Sequence, residues 1–352
     1  MEETLSYRLH PLTSPRQCAG YPPVIIRDEP ENELNFLLEE STSVKYDMIL
    51  PNICSSPEVQ KKPTNQALAC SIVTSGSNFK FKSSIATSEE LTQQLLTETR
   101  KIDTTKSVII ICHGFMSWRN QMLNANLAST LSKKLHVHTL RFDFAGNGHS
   151  LGEWKYANYE QDLEDLTTVV NFVKSGLGCK VGCIIGHSQG FSAVLQYATR
   201  SDLTIESDLE NDCCKYFVNL AGRYSDPDEE DPINKFSIEQ REELKRQGYF
   251  QIKSLFGDRS FMVTKDRIEA RKVYKTSVYL TKLKQTDNGM KFLTLHGSAD
   301  TVVPVDCAKR FHNEIINHSL RIIEGADHNF NGLKFIDKIA ANITNFLFHR
   351  LQ

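Results

Sequence analysis

Three short stretches carry the residue types that acyl-transfer chemistry needs: GHSQG at 186–190, HGSADTVVP at 296–304 and EGADH at 324–328. They supply a hydroxyl at Ser188, a carboxylate at Asp300 and an imidazole at His328. A serine hydroxyl is a poor nucleophile at neutral pH unless a base takes its proton. An imidazole serves as that base when a carboxylate fixes its tautomer and stabilises its charged form. The three residues are therefore read as nucleophile, orienting acid and base. Each has a plainer reading: Ser188 as a turn residue or helix N-cap, Asp300 as a cap for the helix after it, His328 as an exposed loop histidine. Asp327 competes with Asp300 through proximity alone, and adjacent residues rarely turn their side chains toward each other.

Chemistry at three distant positions requires a frame that brings them together. SVIIICHG (107–114) is a short, continuous apolar run, as expected of a strand buried on both faces. Residues 117–136 read as helical and VHTLRFDF (137–144) as a strand; a helix follows around 158–175, with Leu163, Leu166, Val169, Val170, Phe172 and Val173 at roughly helical spacing. The strand into Ser188, the helix after it, YFVNLAG (216–222), FLTLHGS (292–298), a helix near 305–317, LRIIEG (320–325) and a helix at 333–350 complete the succession. Alternating buried strands and helices predict an α/β fold, a mostly parallel sheet covered by helices on both faces. Ligands bind beyond the carboxyl ends of such strands. The loops HGFMS, DFAGNGHS, GHSQG, AGRYSD, HGSADTVVP and GADHNF should meet there.

The glycines around Ser188 fit a sharp strand–turn–helix, which needs unusual backbone geometry and close approach. The helix beginning there points its N–H groups at the reacting centre, so the Gln189 N–H is one candidate oxyanion donor and the Phe115 N–H the second. His113 and His187 read as structural or pocket-edge residues, since His328 fills the role of base. Asp143, Gly146 and Gly148 read as a turn.

The pieces HGF (113–115), DFAGNGHS (143–150), GHSQG, AGR (221–223), HGSADTVVP and EGADH occur in an order that resembles the α/β-hydrolase superfamily over roughly residues 66–352. Within it the chain is similar to the feruloyl/cinnamoyl-esterase-like and monoacylglycerol-lipase-like branch. The resemblance implies a serine hydrolase with a small cap inserted at about 223–287, acting on a small-molecule ester with no cofactor. Phe191 departs from the branch, which often has another glycine there, and is expected to tilt the helix or narrow the pocket floor. Pocket walls are sought at His113, Met116, Phe191, Tyr249, Phe250 and Phe261, with Phe256 and Tyr274 beside them. The aromatic residues of the cap can equally form its own small core. A peptidase, a thioesterase and a non-catalytic scaffold of the same fold remain the alternatives.

Composition narrows the partners. A net charge of −2 over 352 residues gives no electrostatic reason to expect nucleic acid or an anionic membrane. Apolar runs are strand-length, too short for a transmembrane segment. MEETLSYRLH is acidic where a signal peptide is basic and apolar. Nine scattered cysteines without a C-x-x-C pair suit a reducing compartment, so a cytoplasmic location is expected. The sequons at Asn317 and Asn342 carry little meaning there. No H-E-x-x-H pattern offers a metal site, and no lysine-containing P-loop offers a phosphate site. Eight of eleven prolines fall within the first 63 residues. Residues 1–65 are thus expected to be an extension, partly disordered or wrapped on the body, with Leu34, Phe36, Leu37, Leu38 and VKYDMIL as anchors. ALACSIVTS and NFKFKSSIA are expected to form an antiparallel pair.

Overall fold

A computed structural model describes residues 4–11, 33–43, 67–75, 97, 99–200, 214–226, 228, 231–253, 260–285 and 289–348. Its centre is the run that reads VIIIC. In β4 (Val108–Cys112) every residue is buried, yet successive side chains enter different cores. Val108, Ile110 and Cys112 join one hydrophobic cluster, and Ile109 and Ile111 join the other. Strand residues alternate faces, so a run with no polar gap means that both faces are covered.

The other strands of this sheet are β1 (Thr4–Pro11), β2 (Glu33–Ser43), β3 (Ala67–Val73), β5 (His138–Phe142), β6 (Val181–His187), β7 (Tyr216–Leu220), β10 (Lys291–Gly297) and β11 (His318–Ile323). The nine lie in the order β1-β2-β3-β5-β4-β6-β7-β10-β11. The strands from β5 to β11 in that order are parallel, and β1, β2 and β3 add on antiparallel. The expected partner of ALACSIV is corrected. β3 lies between β2 and β5, while NFKFKSSIA and VKYDMIL fall outside the described residues. Two strands within the first 65 residues thus extend the sheet; the side chains of Leu34, Phe36, Leu37 and Leu38 are outside the description.

Helices α1 (Met122–Leu135) and α8 (Leu333–Leu347) cover one face through Leu123, Leu127, Leu131, Ile336, Ile339 and Ile343. Helices α2 (Tyr159–Asn171), α3 (Gly190–Ala198) and α7 (Val305–Glu314) cover the other through Leu166, Val169, Val194 and Phe311. Helix α1 starts five residues later than its apolar pattern suggests. Residues 117–121 form a turn instead, in which the Arg119 backbone N–H donates to the Asp143 carboxylate.

The segment between β7 and β10 holds a short 3-10 turn (Pro232–Lys235), α4 (Ile238–Gln247), a hairpin of β8 (Tyr249–Lys253) and β9 (Ser260–Thr264), α5 (Lys265–Val273) and α6 (Thr276–Gln285). Ser237 and Gln240 cap α4 reciprocally. Leu244, Phe250, Val263 and Ile268 make a third cluster that includes Tyr156 and Ala157 from the body. Leu280 of α6 instead packs into the main core, so the insertion rejoins the body there.

Register decides where the site lies. Cys112 pairs with Phe142 and Gly186, and Leu220 pairs with His187 and Leu295. Gly297 pairs with Ile323. The chain leaving β4, β5, β6, β7, β10 and β11 therefore emerges along one edge.

Candidate active site

Ser188 sits between β6 and α3 with φ +52, a left-handed conformation that a non-glycine residue adopts only when its surroundings enforce it. Its N–H donates to Leu220 O at 2.8 Å, and its carbonyl accepts from the Phe191 N–H at 3.1 Å. The flanking glycines are a packing requirement. A Cβ on Gly186 would lie 2.5 Å from Phe191 Cα, and one on Gly190 2.5 Å from His113 O. The helix can follow the strand this closely because neither position carries a side chain.

The structure brings the three expected residues together across 140 positions of chain. His328 Nε2 lies 3.0 Å from Ser188 Oγ, and His328 Nδ1 lies 2.8 Å from Asp300 Oδ2. The Val302 and Val303 N–H groups each donate to Asp300 Oδ1 at 2.8 Å. Burial raises the Asp300 pKa, but hydrogen bonds from His296, His328 and the Val303 N–H outweigh it and hold the carboxyl well below its ordinary range. Asp300 therefore stays ionised at neutral pH. Asp327 faces elsewhere and accepts from the Asn331 backbone and side chain, both at 2.8 Å.

The neighbouring histidines are framework. His187 Nε2–H donates to His328 O at 3.0 Å, and burial followed by the His328 charge lowers its pKa to about 3. It is neutral and fixes the backbone that carries His328. His113 Nδ1–H donates to Gly114 O at 2.8 Å and Nε2 accepts the Phe144 N–H at 3.1 Å. Burial lowers its pKa as well, so it too is neutral.

Beside Ser188 lies a cleft lined by Gly114, Phe115, Met116, Trp154, Asn158, Asp162 and Gln189, with His113 at its wall. Phe115 and Gln189 are both among its lining residues, and neither backbone N–H donates to a protein acceptor among the described residues. Four expected wall residues are elsewhere. Phe191 is 2% exposed and meets Phe311 edge to face at 5.3 Å, so it belongs to the main core, because α3 turns that position inward. Phe250 is fully buried against Phe236 in the core of the insertion. Tyr249, the preceding residue on the strand, points the opposite way and is 37% exposed. Phe261 is buried outside the lining but packs on Trp154 at 4.7 Å, one residue behind the wall. Tyr274 stacks on Tyr159 at 4.2 Å, and Phe256 is outside the described residues.

Sequence reasoning missed two supports. Arg119 and Asp143 form a fully buried ion pair whose carboxylate also accepts the His149 N–H at 3.0 Å. It joins the loop after β4 to the loop after β5, and MSWRN carries no spacing that announces it. Asp162 and Trp154 were missed as cleft residues because they precede the elbow and match no short motif.

The match to the model of the alpha/beta hydrolase family, over residues 109–333, decides the family. The chain belongs to the alpha/beta hydrolase family. The protein YDL057W of Saccharomyces cerevisiae is 26% identical over 247 residues, which cover 64% of this chain and 69% of that one. Est1E from Butyrivibrio proteoclasticus, solved with ferulic acid bound, superposes with a TM-score of 0.56 at 17% identity, covering 82% of this chain and 96% of Est1E. Alpha/beta hydrolase domain-containing protein 10 from mouse gives a TM-score of 0.53 at 15% identity over 82% and 96% of the two chains. At such identities these two structures show the shared fold. Family membership supports hydrolase activity. No described helix is long and apolar enough to cross a membrane.

Proposed function

We propose that this protein is a serine hydrolase that cleaves carboxylic esters through an acyl-enzyme on Ser188. The observation that carries this reading is the unbroken line from Ser188 Oγ through His328 to the ionised Asp300, with contacts of 3.0 and 2.8 Å. His328 Nε2 removes the Ser188 proton as Oγ attacks the ester carbonyl. Asp300 keeps the Nδ1 proton in place and stabilises the imidazolium. The N–H groups of Phe115 and Gln189 receive the oxyanion, a contribution commonly worth about 10²–10³ in rate per donor, or about 3–4 kcal/mol. His328 then gives its proton to the leaving alcohol and activates water against the acyl-enzyme. A cytoplasmic setting belongs to the same proposal, supported by the scattered cysteines of the sequence.

Turnover of p-nitrophenyl esters, monoglycerides and methyl ferulate by the wild-type and Ser188→Ala proteins tests the proposal. Methyl ferulate belongs in the panel because ferulic acid binds Est1E. Hydrolysis by wild type that falls at least about 10³-fold in the variant supports the reading. Equal rates, or no ester cleaved by either, contradict it.

A further inference from the structure

Two successive residues before α2 give up their local preferences. Ala157 is buried with φ +51, a left-handed conformation disfavoured about tenfold for a residue with a Cβ. Asn158 stands where an asparagine side chain ordinarily caps the helix, yet it makes no capping bond. One side chain from the insertion engages both. Arg267 of α5 donates from Nε to Tyr156 O at 2.8 Å, and from Nη2 to Ala157 O and to Asn158 Oδ1, the last at 3.3 Å. A rigid guanidinium fork holds three acceptors in one arrangement, which the single ammonium of a lysine does not. The segment held in this way reaches the site. Trp154 and Tyr156 pack on the Phe115 ring with centroids 5.8 and 5.9 Å away, and the same two rings meet Phe261 and Phe236 of the insertion at 4.7 and 5.6 Å.

We infer that Arg267 is a positioning residue: by holding Ala157 in its left-handed turn it sets the two rings that fix Phe115, and with them the oxyanion donor. The inference rests on the ester-hydrolase reading for the role of Phe115, and it makes the insertion part of the reaction's machinery. An aligned oxyanion donor is worth about 10²–10³ in rate, and its contribution arises in the transition state. A displaced donor therefore lowers turnover and leaves ground-state binding nearly as it was.

Arg267→Ala, Arg267→Ala/Ala157→Gly and Leu280→Ala proteins are compared with wild type in two assays, each corrected for the folded fraction. One is turnover of p-nitrophenyl butyrate; the other is the rate at which a fluorophosphonate labels Ser188. Labelling needs an activated serine and its oxyanion site but no ester substrate. Arg267→Ala is expected to lose about 30-fold in kcat and in labelling rate, with KM within about threefold. Glycine adopts a positive φ freely, so adding Ala157→Gly should recover about tenfold of that loss. Leu280→Ala loosens the insertion where it packs into the main core, away from residues 154–158, and should change either rate by less than about twofold. If Arg267→Ala yields no folded protein, Arg267→Lys, which keeps the charge and loses the fork, is read in the same way with and without Ala157→Gly. Labelling that falls with Arg267→Ala and returns with Ala157→Gly, in a protein that cleaves no ester, removes the ester reading alone. Rates within about threefold of wild type, a loss confined to KM, a loss that Ala157→Gly leaves unchanged, or an equal loss in Leu280→Ala would make Arg267 a support of the fold and overturn the inference. Wild type that takes up no label overturns it as well.

Discussion

Asp300 holds His328 with one oxygen and its own loop with the other: Oδ2 meets His328 Nδ1 at 2.8 Å while Oδ1 accepts from the Val302 and Val303 N–H groups. An asparagine in its place could satisfy only one side. With its oxygen toward the two backbone donors, its NH₂ faces Nδ1 and forces that nitrogen to accept. The proton then sits on Nε2, where it cannot take the one from Ser188. Asp300→Asn is therefore expected to lower kcat by about 10⁴-fold with little change in KM, measured on any ester the wild type cleaves. Loss below about tenfold would show that His328 does not depend on Asp300.

Gly190→Ala and Gly248→Ala separate close packing from backbone conformation. At Gly190 the added methyl meets the carbonyl oxygens of His113 and Cys112, at 2.5 and 2.7 Å, which belong to backbone and cannot yield. Gly248 closes α4 at φ +82 with nothing within 4 Å. Chemical denaturation should give a loss of about 3 kcal/mol or more at Gly190, with loss of activity. At Gly248 the loss should be about 1 kcal/mol, with activity kept.

Phe250→Ala should destabilise without changing ester preference, because the ring is buried in the insertion and not in the cleft. A cost of about 3–5 kcal/mol is expected by denaturation. The ratio of kcat/KM across acyl chain lengths should stay constant in the folded fraction. A changed ratio would return Phe250 to the pocket wall.

Burial raises the carboxyl pKa of Asp162 and of Asp165 to about 7, against opposing hydrogen bonds. A raised folded-state value means that the native protein binds these protons more tightly than the unfolded chain. Their favourable contribution is complete below about pH 4 and is lost as pH rises through about 7. Asp162→Asn removes one of the two. Its Tm relative to wild type should therefore be higher at about pH 8 than at about pH 5, by thermal denaturation in matched buffers. A difference that is flat or reversed would contradict the assignment.

The frame was legible in the sequence where the chain is buried on both faces. VIIIC and VGCII admit few alternatives, and together with the strands FLTLHG and LRII they put the Ser188, Asp300 and His328 loops along one edge. The pocket was not legible. Phe191, Phe250 and Phe261 are aromatic residues near the elbow or in the insertion, and composition cannot say which side of a helix or hairpin faces the cleft. Phe250 and Tyr249 differ by one step along a strand, and that step exchanges core for solvent. Asp162 escaped notice for a related reason: on α2 it looks like any polar residue of an amphipathic helix until the strand after it delivers Gln189 to its carboxylate.

Covalent labelling tests the central claim most directly. A fluorophosphonate should add to wild-type protein at one site, which peptide mass spectrometry locates at Ser188, and Ser188→Ala protein with the same thermal melt should remain unlabelled. Labelling that persists in Ser188→Ala, or well-folded wild type that takes up no probe, would contradict a serine nucleophile at this position.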